Sequence, residues 1–226
     1  MSDQAFVSPI ELASAFHAEL TSLSLHDTKT ERALCRKYAA LVQDAPSGIV
    51  LTFAHELLFT HGHRWQAYEI IATHKSAFYS LDVVKLELLG QGINSWWTVD
   101  SFARTLSGPA WVAGLVPNEL FVEWAASPDL WWRRAALVST VAFNVRSKGG
   151  VGDVLRTLSI CKLLVADQED MVVKALSWAL RELVYFDPEA VQAFLEEHRH
   201  ILAGRVKREV GHKLRTGLKN PKKQAG

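Results

Sequence analysis

Helical period runs through this chain from end to end, and that restricts it to a single fold class. Apolar residues return every three or four positions in nearly every segment, and no segment alternates apolar with polar residues as a half-buried strand does. Pro9 opens a first helix with Ser8 as its N-cap, and Leu12, Phe16 and Leu20 lie along one face. A second helix over 27–42 turns Leu34, Tyr38 and Leu41 inward. Further helices are expected over 49–59, 64–74 and 81–89, and another begins at Trp96. After punctuation at Ser107-Gly108-Pro109 and Val116-Pro117 the series continues over 117–126, 128–145, 153–165, 169–186, 188–199 and 202–218. Ala45-Pro46-Ser47-Gly48 reads as a loop, and Gly90-Gln91-Gly92 as a break. Gly149-Gly150-Val151-Gly152 follows no strand and carries no Walker lysine, so it reads as a helix–helix turn and not a phosphate loop.

The helices come in pairs with a faint internal echo. Asp129-Leu-Trp-Trp-Arg-Arg134-Ala135 is echoed by Asp170-Met-Val-Val-Lys174-Ala175. Ala67, Ala103, Ala135 and Ala175 recur at intervals of 36, 32 and 40 residues. Small and basic residues on the second helix of each pair predict an all-α, HEAT-like α-solenoid of stacked helical hairpins with a concave basic groove. Its 226 residues suffice for a full core. The expected organisation is a single HEAT-like repeat domain over 1–218 with a basic C-terminal tail over 219–226.

Net charge is only +1, yet the charge is unevenly placed. Arg205, Lys207, Arg208, Lys213, Arg215, Lys219, Lys222 and Lys223 face a single acid, Glu209, so the end of the chain is basic and the rest acidic. That asymmetry fits polyanion contact or a solvated tail. Cys35 and Cys161 fit no metal or redox spacing and suggest a reducing compartment. No run approaches the roughly 18 apolar residues of a membrane span, and no leader pattern opens the chain. A cytoplasmic protein with no membrane partner is expected.

Residues 94–101, Asn-Ser-Trp-Trp-Thr-Val-Asp-Ser, hold the strongest chemical signal. On a helix Trp96 and Asp100 stand one turn apart and share a face, setting an indole beside a carboxylate. Trp96 and Trp97 point about 100° apart, so both cannot face one core and one of them turns to the groove. Trp131-Trp132-Arg133-Arg134 and the Trp178/Arg181 pair repeat the tryptophan–arginine theme, which suits a flat or anionic ligand. The plainer readings are core tryptophans, an aspartate that caps or pairs, and solvated arginines. His61 with His63, and His198 with His200, have a spacing that helices do not bring together, so no metal site is expected. No nucleophile–histidine arrangement and no glycosidase-style carboxylate pair stands out.

The ordered motifs SWWTVDS at 95–101, LWWRRAA at 130–136 and KALSWALRE at 174–182 resemble the AlkD-type DNA alkylation-repair glycosylase family. Asp187-Pro188 and Val206-Lys207-Arg208-Glu209 extend the resemblance, which covers roughly 60–218 and matches the first sixty residues poorly. It implies a monofunctional glycosylase that hydrolyses the N-glycosidic bond of cationic N3- or N7-alkylated purines in duplex DNA. Asp100, Trp96 and Trp178 would surround the lesion's deoxyribose. Arg134 and Arg181 would hold the backbone, with Arg133, Trp97, Lys207 and Arg208 as further DNA contacts. Aligning on the aspartate shifts the tryptophan register by one, so Trp97 is the alternative to Trp96. No cofactor is implied. A monomer is expected, cytoplasmic and nucleoid-associated when bound to DNA. The competing classes are a non-catalytic DNA-binding HEAT protein and a peptide-binding scaffold.

Overall fold

The computed structural model describes residues 8–218, and among them every regular element is helical. Helix makes up 73% of the described residues, consistent with the expected α-solenoid of helical hairpins. The Lys219, Lys222 and Lys223 charges and the 219–226 tail lie outside the described residues. The backbone groups into two compact units, Met1–Gln91 and Gly92–Gly226.

The first unit contains α1 (Pro9–Thr21), α2 (Thr28–Leu41), α3 (Ser47–His55), α4 (Arg64–Thr73), α5 (Lys75–Tyr79) and α6 (Val83–Gly90). Helix α1 packs on α3, α2 on α4, and α3 on α4. Phe16 meets the Tyr38 ring edge-on at 5.0 Å and Phe53 at 6.4 Å, so the apolar stripe foreseen on α1 is the centre of this core. On α2 the inward row is Leu34, Tyr38 and Val42, while Leu41 is 59% exposed. The buried row follows the i, i+4 ridge and leaves the i+3 neighbour outside. Ser8 occupies the N-cap of α1 without a side-chain capping bond, whereas Asp27 accepts the Thr30 N–H at 2.7 Å. Ser47, expected in a loop, starts α3, which passes without a break into a π-helical turn, Glu56–Thr60.

The second unit contains α7 (Trp96–Phe102), α8 (Gly108–Val112), α9 (Asn118–Ala125), α10 (Leu130–Asn144), α11 (Val154–Leu163), α12 (Asp170–Leu183), α13 (Pro188–Glu197) and α14 (Gly204–Thr216). Helices α10 and α12 lie along one another, with α7, α8, α9 and α11 packed on α10 and α14 packed on α12. The recurrent small residues explain the close approach: Ala135, Ala136, Ala175 and Ala179 are all fully buried. At the Gly-rich turn, Gly152 has φ +84° and a Cβ there would meet the Phe186 ring at 2.6 Å, so the glycine answers a steric need.

The expected break at Ser107-Gly108-Pro109 does not occur. A second π-helical turn, Ala103–Ser107, carries the chain from α7 directly into α8, and the Gly108 N–H bonds to the Ala103 carbonyl. The switch in hydrogen-bond register takes place before Pro109, so the proline's missing N–H does not end the run. Gly108 has no room for a side chain, since a Cβ would lie 2.8 Å from the Ala103 and Ser139 carbonyl oxygens. Ser107 and Ser139 hydroxyls bond across the same contact at 2.8 Å. Gly108→Ala is therefore expected to force α8 off α10 and to cost about 1–3 kcal/mol, measured as a lowered urea midpoint with an unchanged m value.

Candidate functional site

Helix α7 is capped by Ser95, whose hydroxyl accepts the Thr98 N–H while Thr98 Oγ1 accepts the Ser95 N–H. This capping box fixes the phase of the short helix. Val99 and Phe102 are its buried anchors, and the remaining faces carry Trp96, Trp97 and Asp100. Both tryptophans are about half exposed, at 54% and 52%, so both, and not one alone, turn away from the core.

Asp100 is held by Arg134 of α10. The guanidinium donates from Nε to Oδ1 and from Nη2 to Oδ2, each at 2.9 Å, in the parallel fork that planar donors make with a carboxylate. Its Nη1 donates to the Met171 carbonyl at the start of α12, so one arginine joins three helices. Arg134 is only 5% exposed. Burial pushes the Asp100 carboxyl above its ordinary value of 3.8, and the nearby charges of Arg134 and Arg104 reduce that rise without cancelling it. The carboxylate is thus fixed in direction yet partly desolvated, a state in which its charge acts strongly on anything placed next to it.

Trp178 of α12 is half-buried, and its indole N–H donates to Glu182 Oε1 at 3.0 Å one turn on. The guanidinium of Arg104, in the π-helical turn, lies 5.6 Å from the centre of the Trp178 ring. Arg104 thus connects the two parts of the site, touching the field of Asp100 on one side and the indole on the other. Sequence reasoning passed over it. The available signal was its place four residues after Asp100, the spacing that puts charges on one helical face.

Other candidates have structural employment. Arg133 donates to Asp167 at 2.7 Å and to the Ser127 and Pro128 carbonyls. Arg181 is buried and donates to the Ser177 carbonyl and hydroxyl, and burial pulls its guanidinium below its ordinary value. Ser177 in turn donates to Glu209 of α14 at 2.7 Å, and Arg205 reaches Glu209 at 3.3 Å. The acid that looked isolated in a basic stretch is therefore the pin between α12 and α14. Lys213 is buried against Tyr185 and the Gly217 carbonyl, which removes it from the basic surface. Lys207 and Arg208 are exposed on α14, Lys207 bonding to the Arg199 carbonyl at 3.0 Å. Trp132 packs in an aromatic cluster with Phe102 and Trp124.

In the first unit His17 and His63 share a hydrogen bond of 2.8 Å, and His17 stacks on His61 at 4.7 Å. Burial and the two neighbouring histidines push His63 down to about 4. Among the described residues no group of three or more His, Cys, Asp or Glu side chains is placed to hold a metal ion. No helix among them is long and apolar enough to cross a membrane. Cys35 and Cys161 are buried free thiols, and burial pushes Cys35 up to about 12.

An all-α helical-repeat protein with an arginine-clamped carboxylate among partly exposed tryptophans is the class these features define. The family model for DNA alkylation repair enzymes matches residues 23–214, and the chain belongs to that family. The match begins well inside the first sixty residues, which had seemed dissimilar. Curated protein sequences give no match. Family membership makes DNA repair the role and DNA the substrate.

Proposed function

We propose that the protein is a monofunctional DNA glycosylase that removes cationic N3- or N7-alkylated purines from duplex DNA. The observation that carries this reading is Asp100, a partly desolvated carboxylate aimed by the Arg134 fork and carried on the same short helix as Trp96 and Trp97. Alkylation at either nitrogen makes the base a cation and hence a good leaving group, so no general acid is required. The demand that remains is to stabilise the oxocarbenium-like sugar and deliver water to it. Asp100 meets both demands, as a fixed negative charge and as a hydrogen-bond acceptor for the water. Trp178 and either Trp96 or Trp97 would pack on the sugar and exclude bulk solvent. Partial neutralisation by Arg134 lets a carboxylate persist beside phosphates. Two unit charges ~6 Å apart at an effective dielectric of ~20 repel by about 3 kcal/mol.

The acid limb of the reaction follows from the raised carboxyl. The ionised form is the active one, so release should increase with pH through a midpoint above 3.8 and then level off. The same shift bears on stability with the opposite sign. The folded state holds the Asp100 proton more tightly than the unfolded chain, so this group's stabilising contribution is present at low pH. That contribution is lost as pH rises through the raised value. A single-turnover pH profile checks the first statement. An acid limb centred at or below the ordinary aspartate value would contradict it.

The deciding experiment incubates the purified chain with methylated duplex DNA and measures free methylpurine. Release above the spontaneous rate supports the glycosylase. Tight duplex binding without release favours a non-catalytic reader, in which Asp100 and Arg134 serve only as an ion pair between α7 and α10.

A further inference from the structure

We infer that Arg104, not Arg134, supplies the phosphate contact beside Asp100. This rests on the reading of the site as one that engages duplex DNA. Arg134 was the natural choice from sequence, but its donors are committed. Nε and Nη2 go to the two carboxylate oxygens and Nη1 to the Met171 carbonyl, and the side chain is 5% exposed. Moving it to a phosphate would strip Asp100 of its partner inside the protein, a costly exchange. Arg181 is buried and bonded through Nε to the Ser177 carbonyl and hydroxyl, so it does not reach the surface. Arg133 is spent on Asp167 and two carbonyls.

Arg104 differs from all three. It is exposed, and among the described residues it forms no ion pair within bonding distance. Its guanidinium lies 5.6 Å from the centre of the Trp178 ring, a contact through the π face that does not use its N–H groups. It sits in a π-helical turn, a local distortion that recurs at functional sites because it re-aims a side chain off the regular helical stripe. A phosphate next to a lesion facing Asp100 would meet a carboxylate on one side and this guanidinium one turn on. Arg104 neutralises that phosphate, and its stacking on Trp178 holds it at the edge of the proposed sugar platform until DNA arrives.

The test uses undamaged duplex DNA, so that it reads binding and not excision. Dissociation constants are measured across salt concentrations for the wild type, Arg104→Gln and Arg104→Lys, with melting curves for each. Arg104→Gln should weaken binding several-fold at low salt and reduce the log–log salt slope by about one unit. Arg104→Lys should restore the slope, because it keeps the charge while losing the planar stack. An unchanged slope in a folded Arg104→Gln protein overturns the inference, as does absence of duplex binding by the wild type. So does a slope that Lys fails to restore, which would mark Arg104 as a packing partner of Trp178 alone. A wild type that binds with an Arg104-dependent slope yet releases no methylpurine keeps this contact and sinks the glycosylase instead.

Discussion

Asp100→Asn is expected to slow release of methylated purines by on the order of 10²-fold or more, with duplex binding retained. Asparagine preserves the shape and one acceptor oxygen, so Arg134 keeps one of its two bonds. What disappears is the charge proposed to face the oxocarbenium-like sugar and the acceptor proposed to draw a proton from water. Because the amide also sets an N–H₂ group against a guanidinium, some stability is lost, about 1–3 kcal/mol. Release must therefore be followed under single-turnover conditions well below the melting temperature of the variant. Equal rates in the two proteins would remove Asp100 from the mechanism while leaving a glycosylase.

Arg134→Met should produce the largest loss of stability, about 3–5 kcal/mol, equivalent to roughly 6–20 °C in melting temperature for a domain of this size. The cause is not the lost pair as such but the carboxylate left behind, partly desolvated and with its main compensating charge gone. The Met171 carbonyl loses its donor at the same time. Combining Arg134→Met with Asp100→Asn should cost less than the sum of the two single changes, because the second removes the orphaned charge created by the first. Calorimetry on the four proteins of this cycle measures the coupling. Strict additivity would mean that the fork seen between α7 and α10 carries no energy. The single Arg134→Met change should also move the acid limb of release to higher pH, since burial then acts on Asp100 with less opposition.

The fold was legible because helical period is a local property. Phe16, Tyr38 and Ala135 sit where an amphipathic stripe puts them, and tertiary context had little to add. Errors came where a helix meets its neighbours. Leu41 and Val42 are both on period with Tyr38, and only the packing ridge decides which is buried. At Ser107-Gly108-Pro109 the residue types argue for a break, but a π-helical register carries the chain through, and no composition signal announces that register. The site divides in the same way. Asp100 and its tryptophans are neighbours along one strip of sequence and could be read together. The partner that occupies Arg134 lies 34 positions away, and nothing in either local stretch says that a basic residue will be spent inward. Arg104 is harder to read from sequence than Arg133 or Arg134, because its own tryptophan, Trp178, is adjacent only in space.

The π-helical turn at Ala103–Ser107 also separates the phase of α7 from the residue count of the segment that follows it. A π turn accommodates one residue more than an α turn over the same span. Gly108 pins the far end against α10, and the wide turn holds the surplus residue without disturbing the bond between Asp100 and Arg134. A one-residue deletion at a position of this turn other than Arg104 would restore plain α-helix and leave Trp96, Trp97 and Asp100 near their present phase. Arg104 would be drawn in from the wide turn and would lose its place over the Trp178 ring. Single-residue indels in this segment are thus a way for related chains to keep the carboxylate and its clamp and lose the exposed cation.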